Sequence, residues 1–269
     1  MTTPIFTRYL YVKEQVEIAL LLSLLEKRTQ CSLFWAFELY HSGFPRETIQ
    51  IIKTIYSSFY EINNPKFKRY FNKKEKDWSN SSKEKQEQIV ACLIYNLTKC
   101  DVSFQLTNDT IQNVISRENI KTWNTINSTN TPESKQRKLY VEVSLEEIKK
   151  YQTQTIVDNS LNKTVKSYKL LSTVTKEHPI CESKWFSHFP FSFDETKIRD
   201  FYHYNWLYYA SFSPLWRERI EKYRGSLNNT TQQVDFTDED DLQEFYFHFG
   251  YEPDEQTKET QEKNIYTRL

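Results

Sequence analysis

His178, Cys181 and His188 are the one place in the chain where histidine and cysteine crowd together. Imidazole and thiolate are ligands that zinc takes in a tetrahedral set of four. A fourth ligand is missing from the segment. Cys31, Cys92 or Cys100 would have to supply it through the fold, and the spacing matches no standard zinc module. Ordinary buried or surface side chains are the simpler reading of the cluster, and no cofactor is expected. Cys181 with His178 or His188 also has the residue types of a thiol nucleophile and its base, a chemistry defined by geometry rather than by order in the chain. Asp238, Glu239, Asp240 and Asp241 place four acids in a row. They have the types needed for two-metal or glycosidase chemistry, and are more simply a solvated helix start at the positive end of a helix dipole.

A second constellation is basic. Lys66, Lys68, Arg69, Lys73, Lys74, Lys76, Lys83 and Lys85 alternate with Phe67, Tyr70, Phe71 and Trp78. Cations for phosphates and flat rings for bases are what single-stranded nucleic acid requires, which makes Lys66, Lys68, Arg69, Tyr70, Lys73, Lys74, Lys76 and Trp78 candidate nucleic-acid-binding residues. The competing reading is a helix with its rings inward and its lysines solvated. It is preferred, because 36 basic residues balance 36 acidic ones, whereas nucleic-acid-binding domains are usually strongly basic. Residues 235–262 hold eleven acids and one lysine, so the chain is a charge dipole suited to self-association or to a basic partner.

Composition limits the remaining chemistry. Only three glycines occur in 269 residues, which excludes a P-loop and a dinucleotide fingerprint, since both need clustered glycines to bring backbone against phosphate. Gly43, Gly225 and Gly250 each follow a helix-like run, so all three are expected at positive φ just past a helix end. Aromatic residues make up 16% of the chain, and the core should be built of rings. No run approaches the roughly 20 apolar residues of a membrane span, and residues 1–10 lack the features of a secretory signal. The expectation is a protein that is neither secreted nor membrane-bound, with cysteines kept as reduced thiols.

Periodicity predicts the elements that position these groups. Helices are expected over 13–28, over 33–41 and from Pro45 through Ile49, Ile52, Tyr56 and Phe59, stacked antiparallel. Another runs through Ile89, Leu93 and Leu97. Residues 101–138 are polar, with a weak helix at 109–117; residues 139–143 alternate as a short strand would, and Ser144 with Glu147 forms a capping box for a helix to about 153. One aromatic helix is expected over 194–211, another from Pro214 to Arg224, and a last one capped by Thr237. The predicted fold is mainly α, an irregular multi-helix globular fold with a small β element between residues 139 and 180. Four regions are expected: an N-terminal helical region 1–100, a polar loop or boundary 101–138, an aromatic-rich helical region 139–250 and an acidic tail 251–269.

The blocks Thr7-Arg8-Tyr9-Leu10-Tyr11, Leu33-Phe34-Trp35-Ala36-Phe37-Glu38-Leu39-Tyr40-His41-Ser42-Gly43-Phe44, Pro214-Leu215-Trp216-Arg217-Glu218-Arg219 and Tyr251-Glu252-Pro253-Asp254-Glu255-Gln256 resemble an uncharacterised helical family of large nucleocytoplasmic DNA viruses. The resemblance implies a viral factory in the host cytoplasm or a virion as the setting, and brings no catalytic residue. With no catalytic constellation in the sequence, the expected function is that of a non-enzymatic protein-binding or scaffold protein whose partner is another protein or a second copy of itself. The alternatives are a nucleic-acid-binding or transcription-associated factor using residues 66–85, and an enzyme of unrecognised type.

Overall fold

Nine consecutive residues, Ser32 to Tyr40, are buried in a single helix. A helix that is apolar on all sides must lie at the centre, and the other elements are arranged round this one. The computed structural model describes residues 3–102, 140–151, 167–183, 185–189 and 191–249. Within them the chain is mainly helical: α1 (Lys13–Leu25), α2 (Thr29–His41), α3 (Pro45–Phe59), α4 (Pro65–Ser79) and α5 (Lys83–Leu97) come first. After them come α6 (Leu145–Ile148), α7 (Ser167–Glu177), α8 (Ile198–Tyr204), α9 (Trp206–Ala210), α10 (Pro214–Lys222) and α11 (Glu239–Phe249). The central α2 packs on α1, α3 and α5, and side chains from both the N-terminal and the C-terminal helices join one hydrophobic core.

Helix ends carry the chain direction. Proline opens α3, α4 and α10 at the first turn, where its missing N–H costs nothing. The expected capping box is present at α6, with the Glu147 N–H donating to Ser144 Oγ and the Ser144 N–H to Glu147. Gly43 closes α2 at φ 94°, the Phe44 N–H reaching back to the Leu39 carbonyl at 3.2 Å.

The expectation at Gly225 needs correction. At the end of α10 the left-handed residue is Arg224 (φ 56°), one position before Gly225. Gly225 is required for closeness instead: a Cβ there would meet Ile220 Cγ2 at 2.7 Å and Val234 Cγ1 at 3.1 Å. Lys27 (φ 57°) closes α1 in the same way as Arg224 closes α10, with the Arg28 N–H on the Ser23 carbonyl at 2.8 Å. Gly250 lies outside the described residues.

Three further expectations change. The aromatic helix expected over 194–211 is divided: a 3₁₀ turn, Glu195–Lys197, leads into α8, and Asn205 (φ −136°, ψ 18°) separates α8 from α9. The Asn205 amide donates to the Gln232 carbonyl at 2.8 Å, which ties this break to a distant hairpin. That hairpin is the small β element, β1 (Ser226–Asn228) antiparallel to β2 (Gln233–Asp235), with Leu227 opposite Val234. It lies after residue 180, whereas the described residues between 139 and 180 form no strand. Residues 140–143 lie along α5 without a strand partner. Asn96 serves as one, its Oδ1 accepting the Val141 N–H at 2.8 Å and its Nδ2 donating to the Val141 carbonyl at 2.7 Å. Finally, α11 is capped by Asp238, which accepts the Asp241 N–H at 2.9 Å, while Thr237 donates to the Arg224 carbonyl at 3.0 Å.

Candidate functional site

The basic aromatic segment becomes α4, and helical spacing sorts its residues by direction. Phe67, Phe71 and Trp78 share one face and are buried, with Tyr56 packed against the first two rings at 5.2 and 5.9 Å. Tyr70, at the margin, stacks on Tyr140 at 4.2 Å and accepts from Asn96 Nδ2 at 3.3 Å; burial pushes its phenol upward. Trp78 is therefore buried away from any base, and Tyr140 covers one face of the half-buried Tyr70 ring.

The cations divide as well. Lys68 pairs with Glu61 at 2.6 Å, and Lys74 lies at 2.6 and 2.8 Å from the two Glu142 oxygens. Desolvation works against ionised Glu142, but the hydrogen bonds from Lys74 and from the Cys92 thiol prevail and hold its carboxyl below the usual range. Among the described residues Lys66, Arg69, Lys73 and Lys76 have no ion pair, and all four are exposed. They recur at i, i+3, i+7 and i+10, which makes one stripe about 15 Å long on the side of α4 opposite its buried rings. Of the helix's two acids, Glu75 is held by Lys53 at 2.9 Å and Asp77 stands at the stripe's far end.

Of the histidine and cysteine cluster, the side chains of His178 and Cys181 are described. His178 stacks on Phe34 at 3.6 Å, and burial lowers its pKa. Cys181 is exposed, and the side chain of His188 lies outside those described. Among the described residues no group of three or more histidine, cysteine, aspartate or glutamate side chains is arranged to hold a metal ion. Of the four consecutive acids, Asp238 and Asp241 are engaged structurally, since Arg224 lies 2.9 Å from Asp238 and 2.6 Å from Asp241.

Two of the clefts among the described residues open between elements. One of about 240 Å³ is lined by His203, Asn205, Trp206, Tyr208, Gln233 and Tyr246, and is smaller than ordinary ligand pockets of roughly 300 Å³ and more. In the other, of about 300 Å³, Glu14 accepts both the N–H and the hydroxyl of Ser192, and Lys13 pairs with Glu17 at 2.6 Å and Glu47 at 2.9 Å. Its polar groups are matched to each other.

One polar group escaped the sequence reading. Arg8 and Glu38 form a buried ion pair at 2.7 Å, with side chains 1% and 0% exposed. Glu38 also accepts the Tyr9 N–H at 3.0 Å, and Arg8 donates to the Tyr151 carbonyl at 3.0 Å. Beside it the Trp216 indole donates to the Thr7 carbonyl at 3.1 Å, and the Leu215 N–H to the Ser42 carbonyl at 3.2 Å. Three of the four sequence blocks, 7–11, 33–44 and 214–219, meet here; the fourth, at 251–256, lies outside the described residues. The signal was available, for Glu38 stands alone among Phe37, Leu39 and Tyr40 in an apolar run. The chain matches no family model, no curated protein and no solved structure.

Proposed function

We propose that this chain is a non-enzymatic protein-binding or scaffold protein that engages an acidic protein surface through the outward face of α4. The observation that supports this reading is the stripe Lys66, Arg69, Lys73 and Lys76, exposed and without ion pairs while the rings of the same helix point inward. Unpaired cations in register attract carboxylates or phosphates alike. Nucleic acid would also call on open rings for its bases, and here the rings are used by the core. The proposed setting, a viral factory or a virion, is supported by the resemblance of the four blocks to the helical family of large nucleocytoplasmic DNA viruses. No helix of the described residues is long and apolar enough to cross a membrane.

The test compares two probes of similar charge, a polyglutamate peptide and a single-stranded oligonucleotide, each titrated against the full chain at several salt concentrations. The peptide should bind, and its binding should fall when Lys66, Arg69, Lys73 and Lys76 are changed together to Gln. Stronger binding of the oligonucleotide, lost on Tyr70→Leu, would favour the nucleic-acid reading instead.

A further inference from the structure

The chain carries a surface that matches its own cation stripe. On α11, Asp240, Glu244 and Phe247 fall at i, i+4 and i+7, with Glu239 and Gln243 beside them, and this side lies away from the buried Phe245 and Phe249. Phe247 is 69% exposed, the highest value among the exposed large hydrophobic residues described. Glu239 and Asp240 have no ion pair among the described residues, and Glu244 has only His248 at 4.0 Å. Asp238 and Asp241, by contrast, are already neutralised by Arg224. A bare phenyl ring set among uncompensated carboxylates is a poor solvent surface and a good docking surface.

We infer that the occupant is a second copy of this chain: the α4 stripe of one copy lies on the Glu239, Asp240, Glu244 and Phe247 face of α11 in the next. The inference rests on the proposed role of α4 in docking acidic protein surfaces. Three features support this partner. The charges are complementary, with four unpaired cations facing three acids. The lengths agree, about 15 Å for the stripe and about 12 Å from Glu239 to Phe247. The chemistry of the ring fits too, since a guanidinium such as that of Arg69 covers an aromatic face while pairing with a neighbouring carboxylate. Each copy offers both faces, so the contact either closes reciprocally in a dimer or propagates from copy to copy, which is how a scaffold would grow.

Charge exchange tests this. Sedimentation velocity on the full chain should show self-association at low ionic strength that recedes as salt is added. Reversing the stripe (Lys66→Glu, Arg69→Glu, Lys73→Glu, Lys76→Glu) should leave a monomer, as should reversing the other face (Glu239→Lys, Asp240→Lys, Glu244→Lys), each with an unchanged circular dichroism spectrum. Mixing the two monomeric variants should restore assembly, because each then carries what the other lacks. Phe247→Ala should weaken the wild-type association by about tenfold. A wild-type chain that stays monomeric at every salt concentration, association that survives both reversals, or a mixture that stays monomeric overturns the inference. If the wild type is monomeric while polyglutamate still binds the stripe, self-pairing fails and acidic docking stands; if neither occurs, both fail.

Discussion

The junction round Arg8 and Glu38 and the outward face of α4 use the same kinds of residue to opposite ends. In the junction a guanidinium and a carboxylate are removed from water, and each is held by a backbone group as well as by the other. On the outward face of α4, Lys66, Arg69, Lys73 and Lys76 stay in water and lack ion partners among the described residues. Breaking a buried pair strands a charge at a cost of roughly 3 to 5 kcal/mol, whereas an exposed pair is worth about 0 to 1. Burial, not residue type, therefore separates the architectural charges from those proposed for recognition, and each region should fail in its own way.

The largest effect should come from Glu38→Ala, which leaves Arg8 buried without its carboxylate and the Tyr9 N–H without an acceptor. We expect a loss of about 3 to 5 kcal/mol by urea denaturation, enough to unfold much of the population. The pair Arg8→Met with Glu38→Leu should recover most of that loss, since two apolar groups avoid the stranded charge. If Glu38→Ala is neutral, the buried pair does not hold the N-terminal segment against α2.

Acid should act on the same region through His41. Burial, followed by the nearby charges of Arg8 and Lys83, lowers its pKa to about 2, and its Nε2 has no hydrogen-bond partner. The unfolded chain binds this proton below about pH 6.5 and the folded chain does not, so stability is full above that pH and falls as the pH drops towards 2. By pH 4.5 the loss should reach roughly 2 to 3 kcal/mol. His41→Phe should remove that part of the pH dependence; an unchanged slope between pH 6.5 and 4.5 would show that His41 is protonated in the fold.

The two described glycines should be separated by substitution. Gly43→Ala would place a Cβ 2.6 Å from Pro214 Cβ and 3.0 Å from the Leu215 nitrogen, at a backbone angle that side chains rarely adopt. About 1 to 2 kcal/mol should be lost. Gly225→Ala meets chiefly the Ile220 methyl at 2.7 Å, with no left-handed strain, and should cost less. Equal losses by thermal melting would mean that crowding, not backbone conformation, limits both sites.

What was legible in the sequence is what local chemistry decides. Pro45 and Pro214 open helices where expected, Ser144 and Glu147 cap α6, and the pattern of Ile49, Ile52 and Tyr56 gives the buried face of α3. What was missed depends on partners far along the chain. Residues 139–143 read as a strand because Val143 turns inward and Val141 outward, yet their hydrogen-bond partners are side chains of α5. The break at Asn205 needs the turn at Gln232, and Gly225 needs Ile220 and Val234. On α4 the inward rings follow from periodicity, but the sequence alone could not separate Lys68 and Lys74 from the four open cations. Their acids, Glu61 and Glu142, become neighbours only when the chain folds.

The smallest effect on stability should come from the stripe, and that is what makes the contrast informative. Changing Lys66, Arg69, Lys73 and Lys76 to Gln removes four positive charges but no ion pair found among the described residues and no buried contact. Helix propensity hardly changes, so the unfolding free energy from urea denaturation should shift by no more than about 0.5 kcal/mol. The same replacement should abolish salt-sensitive binding of an acidic probe, since those charges are the electrostatic attraction. Lys74→Gln gives the internal comparison, because its side chain is only 11% exposed and its ammonium bonds both Glu142 oxygens. It should destabilise the fold more than any single stripe change while leaving probe binding intact. If Lys74→Gln instead weakens binding as much as the stripe variant does, the open and the paired cations form one surface, and the division drawn from their ion pairs is wrong.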